Sequence, residues 1–214
     1  EALQCPTLLE NGFGAHRIEG IGDKHVPWIH NTKNTDMVVA IDDNAVVHLS
    51  RLFNEAAGRK HLVAMGVPAE LVSKLDLFGF SGISNLLSAI KAAKYYELDE
   101  NDIVVTVLTD SMELYRSRLR EMHAEHGKYT EKEAAADHAQ YLSGQSTDNL
   151  LELRYEDRRR VHNLKYFTWV EQQGKTYDEI LKMWHDRDYF TGIQEQVDEI
   201  DELIIAFNKD VGLV

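Results

Sequence analysis

The stretch DIVVTVLTDSMELYRSRLREM (Asp102–Met122) decides how the rest of the chain is read. Its first seven residues, Asp102–Leu108, form a β-branched apolar run, the composition of a strand buried on both faces. Thr109, Asp110 and Ser111 then offer turn and cap chemistry, and apolar residues recur beyond them at helical spacing. The whole stretch predicts a strand, a turn and a helix.

Upstream, LFGFSGISNLLSAIKAAKYY (Leu77–Tyr96) predicts a helix entered through small residues, with Ser81 or Ser84 as its cap. DMVVAI (Asp36–Ile41) is a second buried-strand candidate. Asp42 or Asp43 offers an N-cap to NAVVHLSRLFNEAAG (Asn44–Gly58), which Gly58 is expected to close. A short helix near Lys60–Met65 stops before Gly66 and Pro68. The order strand, helix, helix, strand, helix predicts an α/β fold with a mostly parallel sheet. Residues 1–35 show little periodicity and many loop formers, including Pro6, Gly12, Gly14, Gly20, Gly22 and Pro27. A loop of that length inside a compact domain is either a functional segment or a misassigned one.

Downstream of about His126 every pattern is helical: YTEKEAAADHAQYL, YEDRRRVHNLKYFTWVEQQG and TGIQEQVDEIDELIIAFNKDVG. The expected division is an α/β domain over residues 1–125 and an all-helical extension over residues 126–214. Val197, Ile200, Leu203, Ile204 and Phe207 recur at helical intervals, which suits docking onto a core or a partner helix. Arg158, Arg159 and Arg160 lie among acidic neighbours and read as a solvated face or a subunit contact. Tyr166–Trp169 reads as a packing stripe.

The 214 residues carry a net charge of −13, which argues against nucleic acid as the principal partner. Cys5 is the only cysteine, so no intrachain disulfide is possible and a reducing compartment fits. No signal peptide and no apolar run of membrane-spanning length is present, so a cytoplasmic location is expected and no membrane partner. The opening EALQCP reads as the interior of something longer: a fragment, a processed product or one half of a split enzyme.

Chemistry concentrates at the end of the second strand candidate. In open parallel sheets, ligands bind beyond the carboxyl ends of strands, beside helix N-termini. Asp110 and Ser111 there suit contact with a heteroaromatic nitrogen, or else an ordinary helix cap. GFSGISN (Gly79–Asn85) is either an anion-binding turn or a tight entry turn. His16, His25 and His30, with Cys5 and Asp23, match no compact zinc spacing, so no metal site is expected. Walker loop, G-x-S-x-G and H-E-x-x-H motifs are missing.

Three segments together resemble one superfamily. GAHRIEGIGDKHVP (Gly14–Pro27) is similar to the G-P-H-K-I-Q-G-I-G-x-G-x-V-P stretch of cysteine synthases. FGFSGISNLLSAIKAAK (Phe78–Lys94) resembles their G-I-S-S-G-A-N helix. VVTVLTDSMELYRS (Val104–Ser117) resembles the V-V-x-x-L-P-D-S-x-x-x-Y-x-S strand and turn of cysteine synthase and cystathionine β-synthase. The chain is thus similar, over about residues 1–120, to the C-terminal half of the fold-type-II pyridoxal-phosphate enzymes. These form the tryptophan synthase β-like group, and the set called pyridoxal-5′-phosphate-dependent protein subunit β looks nearest.

The resemblance implies a three-layer α/β fold and pyridoxal 5′-phosphate as cofactor. It implies that Gly20, Ile21 and Gly22 line the cofactor and substrate cleft, small residues letting backbone approach the ring. Ser111 falls where the family faces the pyridine nitrogen, with Asp110 as the one-residue alternative. A neutral hydroxyl there goes with β-elimination or β-replacement on a small amino acid. Departures are Thr109 for the usual Pro and Lys24 at a position commonly small. The family's Schiff-base lysine, ring-hydroxyl asparagine and phosphate loop belong to its N-terminal half. The expected activity is therefore that of a lyase or transferase component, inactive as this chain alone. An N-terminal half or a complementary subunit completes it, in a homo- or hetero-oligomer. The alternative is a non-catalytic interaction or regulatory module, favoured by the helical tail.

Overall fold

The computed structural model describes residues 1–213. They form two compact units, residues 1–24 with 36–153, and residues 25–35 with 154–213. Residues 126–153 belong to the first unit.

The first unit holds α1 (Thr7–Glu10), α2 (Asp43–Asn54), α3 (Ala56–Ala64), α4 (Ala69–Val72), α5 (Phe80–Tyr95), α6 (Arg116–His126) and α7 (Glu131–Asp137). Its sheet has two strands, β1 (Met37–Val39) and β2 (Leu150–Glu152), paired antiparallel with Val38 opposite Leu151. On the other edge of β1, Ala2 bridges to Ile41. The three-layer α/β fold with a mostly parallel sheet is therefore corrected: the described residues are mostly helical, with one small antiparallel sheet. DMVVAI does supply a strand. Asp102–Leu108 does not, because a strand exists only through a partner and no described segment pairs with it. Residues 103–109 exchange no backbone hydrogen bond with any described residue. Nor is the region after residue 126 all helical, since β2 lies within it.

Local chemistry explains the helix ends. The Asp42 carboxylate accepts from the Asn44 N–H at 2.9 Å and caps α2. The chain turns extended at Glu55 and resumes as α3, so Gly58 does not close the helix. A Cβ on Gly58 would lie 2.1 Å from the Leu52 carbonyl oxygen, so glycine there allows the two helices to close together. Gly79, not Ser81 or Ser84, takes the cap position of α5, and both serines are buried inside the helix. Val46, Leu49 and Phe53 of α2 and Phe80, Ile83 and Leu87 of α5 recur at helical spacing and are buried together with Ile18 and Ile41. Each contributes roughly 1.5–3 kcal/mol of burial.

The second unit holds α8 (Tyr155–Asn163), α9 (Tyr177–His185), α10 (Tyr189–Gln194) and α11 (Val197–Asp210), with a π-helical turn at Tyr166–Val170. Three side chains fasten its loop of residues 25–35 and its helices. Lys165 Nζ donates to the carbonyls of Trp28 at 2.8 Å and His30 at 2.7 Å. Trp169 Nε1 donates to the Val26 carbonyl at 2.8 Å. His162 Nε2, facing the Ile180 carbonyl at 3.0 Å, must carry its proton there. No residue of α11 is buried; Ile200, Leu203, Ile204 and Phe207 are exposed. Among the described residues no helix is long and apolar enough to cross a membrane.

Candidate functional site

The three segments that carry the resemblance meet around the first turn of α5. On one side lies the loop Ile18–Gly22. Ile18 is buried and anchors a turn closed by the Ile21 N–H on the Ile18 carbonyl at 3.3 Å. Gly20 and Gly22 both have φ of +92°, a backbone that side chains other than glycine rarely adopt. Ser81 Oγ donates to the Glu19 carbonyl at 2.7 Å, and a Cβ on Gly20 would sit 2.9 Å from that hydroxyl. The Glu19 carboxylate pairs with Arg118 at 2.6 Å. His16 Nε2 donates to the Gly22 carbonyl at 2.5 Å, leaving Nδ1 as a buried acceptor without a hydrogen-bond partner.

On the other side lies Thr109–Tyr115. The Gly79 N–H donates to the Asp110 carbonyl at 3.0 Å, and a Cβ on Gly79 would fall 2.0 Å from Asp110 Oδ1. The Asp110 carboxylate therefore fills the space beside the N-terminus of α5, where the helix dipole favours a negative charge. Tyr115 donates its hydroxyl to Asp110 Oδ2 at 2.5 Å and stacks its ring on Phe80, centroids 4.8 Å apart. Burial first, and then the Asp110 carboxylate, push the Tyr115 phenol up to about 12.

Gly20, Ile21 and Gly22 are together in one turn, partly open to solvent. Asp110 is committed to Tyr115 and Thr109 and does not cap a helix through its side chain. Ser111 precedes the 3-10 turn Met112–Tyr115, and its hydroxyl makes no hydrogen bond among the described residues. It borders a cavity of about 320 Å³ with Asn54, Arg59, Glu113 and Arg116, which does not include Gly20, Ile21 or Gly22. A second cavity, of about 270 Å³, is floored by Val47, Phe80 and Met122 and rimmed by His16, Glu19 and Arg118. Tyr115, Arg118 and Ser81 connect the segments; the sequence offers Ser81 as a helix cap in the GFSGISN turn and assigns neither Tyr115 nor Arg118 to the site. The only signal is the Tyr of the Y-x-S pattern, since the others act through long-range contacts.

Lys91 lies three turns along α5, about 16 Å from its start at 1.5 Å per residue, and its Nζ is held by Asp148 Oδ1 at 2.6 Å. No group of three or more His, Cys, Asp or Glu side chains converges as a metal site among the described residues. The chain matches no protein-family model, no curated protein and no solved structure.

Proposed function

We propose that this chain forms one wall of the pyridoxal-phosphate cleft of an enzyme acting on a small amino acid by β-elimination or β-replacement. The Schiff-base lysine comes from a complementary polypeptide or from the N-terminal half of a longer one. The observation that carries the reading is the meeting of Ile18–Gly22, the start of α5 and Thr109–Tyr115, three stretches distant in sequence. Ser111 opens on a cavity that does not reach the glycine turn, so a single cleft over both is completed by the complementary polypeptide. With Asp110 committed to Tyr115, the uncommitted Ser111 hydroxyl is the partner for the ring nitrogen. As a neutral group it holds a proton on its own oxygen instead of fixing one on that nitrogen. The glycine turn presents bare backbone to the ring face. The N-terminus of α5 is filled by Asp110, so the phosphate is held by other residues. When bound, the cofactor supplies the electron sink that stabilises charge at the substrate α-carbon. The enzyme is cytoplasmic, in keeping with a single, unpaired cysteine.

The test is a titration of the isotopically labelled chain with pyridoxal 5′-phosphate, followed through its backbone amide resonances. Gly20, Gly22 and Ser111 should shift together, and Ser111→Ala should weaken the shift. Shifts confined to surface lysines, or none with the cofactor at millimolar concentration, refute the reading. The second reading is a non-catalytic interaction module. It is favoured by the exposed apolar faces of residues 103–108 and α11.

A further inference from the structure

We infer that Ile103–Leu108 is a docking edge to which an extended segment of another polypeptide adds as a β-strand. The inference stands apart from the cofactor reading, because none of the observations behind it involves the glycine turn or Ser111. The segment has strand composition and strand alternation without a strand's partners. Ile103 and Val105 are 89% and 85% exposed, while Val104 and Leu108, at 46% and 43%, lean inward. The inward side is seated on α5: Leu108 Cδ2 would be 3.4 Å from a Cβ on Gly82, and Asn85 Nδ2 donates to the Val107 carbonyl at 2.8 Å. That side-chain contact is the one hydrogen bond that the backbone of residues 103–109 makes among the described residues, apart from the Asp110 carbonyl beyond its end. A row of amides and carbonyls without backbone partners, beside apolar side chains of alternating exposure, is the template for strand addition.

The space beside it has matching walls. A groove of about 570 Å³ runs over α5 between Val104–Thr106 and the residues of β1, with Met37, Val39, Ala89 and Ala92 along it. On β1, Met37 and Val39, opposite Glu152 and Leu150 of β2, line the groove. Small alanines on α5 leave room for a backbone to lie across the helix. Acidic side chains gather at one end: Asp36 lines the groove, and Glu152 accepts from the hydroxyls of Tyr95 at 3.3 Å and Tyr96 at 3.2 Å. With Asp99, Glu100 and Asp102 in the adjoining turn and a net charge of −13, the occupant is an apolar, β-branched segment carrying lysine or arginine at that end.

The full chain is labelled and mixed with the synthetic heptapeptide Lys-Val-Thr-Val-Thr-Val-Lys. Amide hydrogen exchange is then read at residues 103–108. The peptide should slow exchange there by about tenfold or more, as pairing closes those amides. The same peptide N-methylated at alternate amides should not. Val105→Pro should abolish the effect, and circular dichroism should show its helices intact, since Val105 lies in no helix or strand. Three results overturn the inference: unchanged exchange at saturating peptide, equal protection by the N-methylated peptide, or protection in the chain alone that grows with its concentration. The last would mean that a second copy is the occupant.

Discussion

Gly79→Ala probes the junction of the candidate site most directly. The new Cβ would lie 2.0 Å from Asp110 Oδ1, 2.8 Å from Asp110 Cγ and 3.1 Å from the Asp110 carbonyl oxygen. The Gly79 backbone (φ −72°, ψ −176°) is open to alanine, so the penalty is one of space and not of torsion. The carboxylate has to swing away and release the Tyr115 hydroxyl it holds at 2.5 Å. A hydrogen bond to a charged group is worth about 1.5–3 kcal/mol, and replacing a glycine N-cap by alanine costs up to about 1 kcal/mol more. The expected loss is about 3 kcal/mol, read from urea unfolding of the full chain by circular dichroism. In an Asp110→Ala background the clash with the carboxyl group is gone and the tyrosine contact already lost. Gly79→Ala should then cost only about 1 kcal/mol, a coupling of about 2 kcal/mol in the double-mutant cycle. Equal costs in the two backgrounds, within about 0.5 kcal/mol, would refute the packing described.

Three further outcomes are expected. His162 is buried, and desolvation lowers its pKa from 6.5 to about 4; the unfolded chain thus takes up the proton first. Its contribution is complete above pH 6.5 and is lost as the pH falls to 4, about 3 kcal/mol at most. Tryptophan fluorescence should report that fall, because Trp28, Trp169 and Trp184 all lie in the second unit, and a His162→Gln chain showing the same fall would remove the assignment. Lys165 is pushed by burial from 10.5 to about 8, so the second unit should gain stability as pH rises between those values. Lys165→Met should flatten that rise, and an unchanged slope would count against it. Tyr129→Phe should destabilise by about 1.5–3 kcal/mol, because the phenol donates at 2.8 Å to the buried Asp137 carboxylate that also faces His48 Nδ1 at 3.0 Å; a loss below about 0.5 kcal/mol in thermal unfolding would contradict this.

Helices are legible in the sequence because their signals are local. Asp42 caps α2 as its position suggests, and the apolar spacing of Phe80, Ile83 and Leu87 marks the buried face of α5. Ends governed by packing are not. Gly58 has the look of a stop and serves a close approach to Leu52, while Gly79 displaces Ser81 and Ser84 as the cap because Asp110, far along the chain, occupies the space a Cβ would need. Strands fail for a deeper reason. A run of β-branched residues such as Ile103–Val107 states a preference, but pairing depends on what lies alongside. DMVVAI finds Leu150–Glu152, a three-residue partner too short to show a period, and Asp102–Leu108 finds none. The glycine turn and Asp110–Ser111 are visible as loop and turn chemistry. Their links through Ser81, Arg118 and Tyr115 depend on how distant segments pack, and no local pattern encodes them.

The bare ribbon of Ile103–Leu108 also sets the colloidal behaviour of the chain. Copies that meet edge to edge there would adhere, and what holds them apart at neutral pH is mutual repulsion between molecules of net charge −13. That repulsion fades as the medium approaches the isoelectric point near pH 5.2, so turbidity should set in on mild acidification and be delayed by anything that occupies the ribbon first.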